Sequence, residues 1–129
     1  MPKLPLDPKS NSIPVDLLLK GPQDTRIIKM VLDTGASITT IPYEVALNIG
    51  VDPTKSKRRI EIVTASSREY VPIVTILHLS LLGFSMKDVD VLCLDLPPGT
   101  DASGLLGLNV LRRFNVFLRF LSGILEIER

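Results

Sequence analysis

Apolar residues in this chain come in short runs, each stopped by a proline, a glycine or a polar cluster, and that interruption is what most limits its fold. Ile13 to Lys20 reads as a strand, Gly21-Pro22-Gln23-Asp24 as a turn and Arg26 to Leu32 as a second strand, which together make a hairpin. Ile60 to Thr64, Tyr70 to Leu82, Val89 to Leu96, Phe114 to Leu121 and Ile124 to Glu128 continue the series. In the last run but one, Phe114, Val116, Leu118 and Phe120 share a face by the two-residue period, opposite Asn115 and Arg119. Only two segments carry helix signals. Ile41 to Gly50 has Pro42 at its start, Glu44 in its first turn and Gly50 as a left-handed stop. A second short apolar helix follows Gly107. Six or seven short strands with two brief helices predict an all-β domain, a barrel or a sandwich, with no internal repeat.

Composition then removes most ways of doing chemistry. The 129 residues suit one domain, and 45% apolar content is enough for a core. Residues 13–129 are expected to form that domain, behind a proline-rich arm, residues 1–12, that is extended or mobile. A net charge of +1 gives no field that would favour nucleic acid or an anionic membrane. The basic run Lys55-Ser56-Lys57-Arg58-Arg59 has no interleaved aromatics and reads as a solvated loop. One Cys and one His allow neither an internal disulfide nor a two-His metal motif, so no metal and no cofactor are expected. His78 and Cys93 read as strand-face or core residues, and Arg112-Arg113 as a solvated helix face or a dimer rim. No secretory leader or membrane span is visible: Ile73 to Phe84 is broken by Thr75, His78 and Ser80 and falls short of the ~20 residues a span needs. A cytoplasmic protein is expected.

One stretch remains informative. In Met30-Val31-Leu32-Asp33-Thr34-Gly35-Ala36-Ser37 an apolar strand runs straight into an aspartate, a small hydroxyl residue and a glycine. Such an order carries a carboxylate out of the core on a rigid element and turns the chain sharply beneath it. Read alone, Asp-Thr-Gly is also an ordinary way to end a strand. Seventy residues later, Gly104-Leu105-Leu106-Gly107-Leu108-Asn109-Val110-Leu111 leads an apolar pair and a glycine into the second helix.

Paired in this way, the two stretches resemble the retropepsin-like aspartic proteases, nearer their cellular and prokaryotic members than the viral enzymes. The resemblance runs from about Ile13 to Ile127 and implies a closed β-barrel with one or two short helices, acting as a two-fold dimer. It implies hydrolysis of peptide bonds by two aspartates that share a proton, since two adjacent carboxylates do not both ionise cheaply. One carboxylate takes a proton from water while the other donates to the scissile carbonyl oxygen. The chain has one Asp-Thr-Gly, so the resemblance implies a homodimer with Asp33 supplied twice. It assigns catalysis to Asp33, with Thr34 bonding across the two loops and Gly35 permitting the turn. Ala36 and Ser37 would line the cleft, Leu105, Leu106 and Gly107 would back the loop, and Thr64, Ala65, Ser66 and Ser67 would lie in a flap over a peptide or protein substrate.

Two positions depart from the viral pattern. Ser37 and Leu108 stand where viral members commonly carry an acid and an arginine, and the flap tip Ala65-Ser66-Ser67-Arg68 has no glycine. These departures motivate a second reading, a non-catalytic module that keeps the fold for dimerisation or peptide binding. A third is a generic β-barrel module in which Asp33 only ends a strand.

Overall fold

The computed structural model describes residues 2–63, 65–99 and 103–129. Among these described residues are ten strands, which make two sheets, with two short helices and one 3-10 turn (Pro53–Lys55). Six strands close on themselves: β2 (Pro14–Lys20), β3 (Thr25–Leu32), β8 (Gly104–Leu106), β4 (Thr40–Ile41), β7 (Phe84–Cys93) and β6 (Arg68–Leu81), which returns to pair with β2. The all-β closed barrel with two short helices is thus the fold. A smaller sheet, β1 (Lys3–Pro5), β10 (Ile124–Glu128) and β9 (Asn115–Arg119), packs beside it, with Leu125 and Ile127 fully buried.

Alternation builds the barrel. On β2, Val15, Leu17 and Leu19 point inward, and on β3 Ile28 and Met30 do the same. They meet Ile76, Leu79 and Leu81 of β6 and Val89 and Val91 of β7 in one continuous core. Burial of each such side chain is worth roughly 1.5–3 kcal/mol before the entropy of ordering is subtracted.

β6 is 14 residues long and serves two sets of neighbours. Its second part, from Ile73, pairs with β7 and at His78–Leu81 also with β2; residues 68–72 pair with β5 (Arg59–Val63) alone. The β5–β6 ribbon therefore extends past the barrel as a two-stranded hairpin, and its described tip, Ala65 to Ser67, is exposed.

Several segments differ from the sequence expectation. β7 starts at Phe84 rather than Val89, because Leu82 and Gly83, both at positive φ, make a two-residue turn straight out of β6. Its first half carries outward Ser85, Lys87 and Asp88, which dilute the apolar signal. Phe120, expected on the buried face of its strand, lies past the end of β9 and is exposed, as is Leu121. Within the proline-rich arm, Lys3–Pro5 is a strand paired with β10, and Leu6 N–H donates to Gly123 O at 2.8 Å. This stretch is held to the small sheet rather than free of it.

Helix α1 (Tyr43–Asn48) sits behind Pro42 and is followed by Gly50 at φ 94°. Helix α2 (Leu108–Leu111) is a single turn that buries Val110 and Leu111.

Candidate active site

The site is built where β3 ends. β3 and β8 run parallel, with Leu32 opposite Leu106, and Asp33 N–H donates to Leu106 O at 3.0 Å. On the other side Leu32 N–H donates to Ile13 O at 2.9 Å. The strand is thus held on both edges up to the residue before the carboxylate. Asp33 is half-buried, while Thr34 and Gly35 are exposed.

The loop then folds back onto the carboxylate. Gly35 N–H donates to Asp33 Oδ1 at 2.9 Å and Ala36 N–H to Asp33 O at 3.2 Å. One carboxylate oxygen is fixed by backbone, which leaves Oδ2 to the surroundings. A Cβ on Gly35 would sit 3.1 Å from Oδ1, tighter than ordinary contact, so a side chain there would press on the carboxylate oxygen that Gly35 N–H holds.

Helix α2 supports the loop from behind. Leu108 N–H donates to Ala36 O at 2.8 Å and Asn109 N–H to Ser37 O at 3.2 Å. Asn109 Oδ1 accepts both from Thr39 N–H (2.8 Å) and from Thr39 Oγ1 (2.9 Å), while Thr39 Oγ1 accepts from Gly107 N–H at 3.0 Å. Asn109 Nδ2 donates to Asp90 O at 2.7 Å. Thr39 is fully buried, so each of these bonds is costly to lose. Gly107 packs so closely that a Cβ there would come within 2.8 Å of Ala36 O and of Ile38 C.

The predicted site residues are thus partly gathered. Asp33, Thr34, Gly35, Ala36 and Ser37 form one loop, backed by Leu106 and Gly107. Ser37 also edges a surface pocket of about 330 Å³ with Leu108, Asn109 and Arg112. Ala65, Ser66 and Ser67 lie on a different element, the tip of the β5–β6 hairpin, and Thr64 lies outside the described residues. Sequence reasoning gave no role to Thr39 or Asn109. Their signal was weak, since a threonine and an asparagine 70 positions apart advertise no pairing.

Arg58, expected in a solvated loop, lies exposed in that loop and is also ion-paired. Its guanidinium makes two 2.9 Å bonds to Asp90, one to each carboxylate oxygen, and one of 2.7 Å to Thr75 Oγ1. The Arg58 guanidinium, helped less by Thr75 and opposed by desolvation, holds the Asp90 carboxyl below the usual carboxylate range. Cys93 is a buried core residue, and burial, with a smaller contribution from Asp95, pushes its thiol up to about 12. At neutral pH it is no thiolate nucleophile. His78 sits half-buried on β6, in register with Lys20 and Lys87. Among the described residues no group of three His, Cys, Asp or Glu side chains converges, and no helix is long and apolar enough to cross a membrane.

A barrel strand that delivers a single Asp-Thr-Gly onto a loop braced by a later glycine and helix defines the class of retropepsin-like folds. Comparison with known proteins gives the family. The sequence model described as "gag-polyprotein putative aspartyl protease" matches residues 21–113, and the chain belongs to that family. No curated protein sequence matches it significantly. Among solved structures it is similar to a retropepsin-like aspartic protease from Rickettsia conorii, at TM-score 0.73 and 22% identity over 95% of this chain and 86% of that one. It is also similar to the retroviral protease-like domain of Ddi1 from Leishmania major, at TM-score 0.62 and 15% identity over 94% and 91% of the two chains.

Proposed function

We propose that the chain is an aspartic endopeptidase that works as a homodimer, with Asp33 of two copies forming the catalytic dyad. The observation that carries this is the Asp33 carboxylate itself. It stands at the end of a strand held on both edges, with Oδ1 fixed by Gly35 N–H, in a chain of this family. A single copy offers one such carboxylate, and general acid and general base at once need two. A two-fold axis beside the exposed Thr34-Gly35 turn would supply the second.

In this reading the ionised Asp33 takes a proton from a water between the two carboxylates as its oxygen attacks the scissile carbonyl carbon. The protonated Asp33 of the other copy gives its proton to the carbonyl oxygen. The neutral tetrahedral diol then collapses: the C–N bond breaks as the nitrogen takes the proton that the first Asp33 accepted, and a diol hydroxyl gives its proton to the other Asp33 as the carboxyl product forms. Thr34 bonds across the two loops, and Ala36 and Ser37 flank the substrate backbone. The hairpin tip with Ala65, Ser66 and Ser67 closes over the peptide and excludes water.

A mixed peptide library incubated from pH 3 to pH 7, with Asp33→Asn in parallel, tests this. Turnover that depends on Asp33 is the expected result. Equal cleavage by the variant overturns the assignment, and peptide binding without turnover by either form favours the non-catalytic module.

A further inference from the structure

The hairpin expected to close over substrate is exposed along residues 68–70, where β6 pairs only with β5, while Val71 and Pro72 at its inner end are buried. What fixes its angle must therefore lie at its root. Arg58 stands there, one residue before β5, and its carbonyl accepts from Ile73 N–H at 2.9 Å. The Arg58 side chain reaches over β6 to Asp90 on β7, so its forked contact spans three adjacent strands. Thr75, in register with Asp90, sits between them: Oγ1 accepts from Arg58 at 2.7 Å and donates to Asp90 Oδ1 at 2.9 Å. Rotation of β5 away from the barrel breaks all three bonds together.

Asp90 also faces the other way. Its backbone carbonyl accepts from Asn109 Nδ2 at 2.7 Å, and Asn109 N–H holds Ser37 O while Asn109 Oδ1 holds Thr39. Two links, Asp90 and Asn109, therefore separate the hairpin root from the loop that carries Asp33. We propose that Arg58, Asp90 and Thr75 form a positioning clasp that sets the angle of the β5–β6 hairpin and couples it, through Asn109, to the catalytic loop. This rests on the protease reading. Arg58 and Asp90 are positioning residues: neither belongs to the loop that carries the reacting carboxylate, and each acts through what it holds.

A purely structural ion pair at this spot would affect stability alone. A clasp that positions the hairpin affects substrate capture, because closure over a peptide is part of binding. The fork geometry also matters, since lysine keeps the charge but cannot bridge both carboxylate oxygens with fixed planar donors. Both side chains are about half exposed, so salt should weaken the clasp.

The test compares the full-length wild type with R58M, R58K and the near-isosteric D90N, each first checked for native circular dichroism. Amide hydrogen exchange is followed over residues 59–72 and 33–40, and kcat and KM are measured on one peptide that the wild type cleaves. R58M and D90N are expected to exchange faster in both segments and to raise KM roughly threefold to tenfold, with kcat within about twofold. R58K should restore only part of this. Raising salt should raise KM in the wild type but not in R58M. Faster exchange confined to 59–72, or an unchanged KM in both R58M and D90N, overturns the proposal. If R58M fails to fold, D90N alone decides it. Absence of Asp33-dependent turnover in the wild type defeats the protease reading, whereas unchanged exchange over 33–40 in a protein that cleaves defeats this inference alone.

Discussion

Asp33 and Gly107 answer to different physics, and their substitutions should separate chemistry from packing. Asparagine at position 33 keeps an oxygen for Gly35 N–H, so the loop should hold its shape while the ionisable group is lost. On the proposed mechanism Asp33→Asn lowers kcat by about 10²–10⁴-fold, the span of one general acid–base group, with melting temperature nearly unchanged. Steady-state kinetics and a thermal melt check the two halves. Gly107→Ala should do the reverse. Its new Cβ meets backbone atoms of Ala36, Ile38 and Thr39 at 2.8–2.9 Å, none of which can swing aside like a side chain. Overpacking of this kind costs about 1–3 kcal/mol, which a denaturation curve would resolve. Cys93 offers a third readout. With its thiol buried and pushed up to about 12, it should resist a thiol reagent at pH 8 and react once the chain unfolds, so labelling rate reports global opening.

Strands and loops differ in how plainly the sequence declares them. β2, β3 and β10 announce themselves because an apolar face recurs every second residue over five to eight positions. β4 and β8 span two and three residues, too few for any period to register, yet they join β3 to β7 and close the barrel. The Asp-Thr-Gly loop was legible because its chemistry is contiguous. The Thr39–Asn109 bonds and the Arg58–Asp90 pair were not, because both join distant segments and neither residue type is distinctive. This second pair gives the hairpin a pH response of known sign. Asp90 titrates below its ordinary value in the folded chain, chiefly through Arg58, so the pair's contribution is complete above the unfolded carboxylate range near ~3.9 and is lost as pH falls through the depressed value. Exchange over residues 59–63 should therefore accelerate, relative to the barrel strands, as pH drops below about 4 in the wild type. The same comparison in R58M should show no such step. Salt at neutral pH should mimic the acid effect, because the pair is exposed enough to be screened.

At the scale of the whole molecule, one chain supplies a rigid barrel and a braced loop but a single carboxylate on it. Everything that a dyad needs beyond this must come from a second copy, and a symmetric dimer can be tested by mixing rather than by seeing it. Wild type and Asp33→Asn should assemble with equal ease, since the substitution alters neither the Thr34-Gly35 turn nor the barrel behind it. In an equimolar mixture that has re-equilibrated, random pairing leaves about a quarter of the dimers with two Asp33 residues. Activity per total chain should then fall to about a quarter of the pure wild-type value. A chain that acts alone, or a dimer in which one Asp33 suffices, would instead retain half or more. Dilution provides the matching control: activity per chain should decline as concentration drops through the dimer dissociation constant, in step with the loss of dimer seen by sedimentation. A specific activity that stays flat while dimers dissociate would place the catalytic groups within one chain and remove the two-fold dyad.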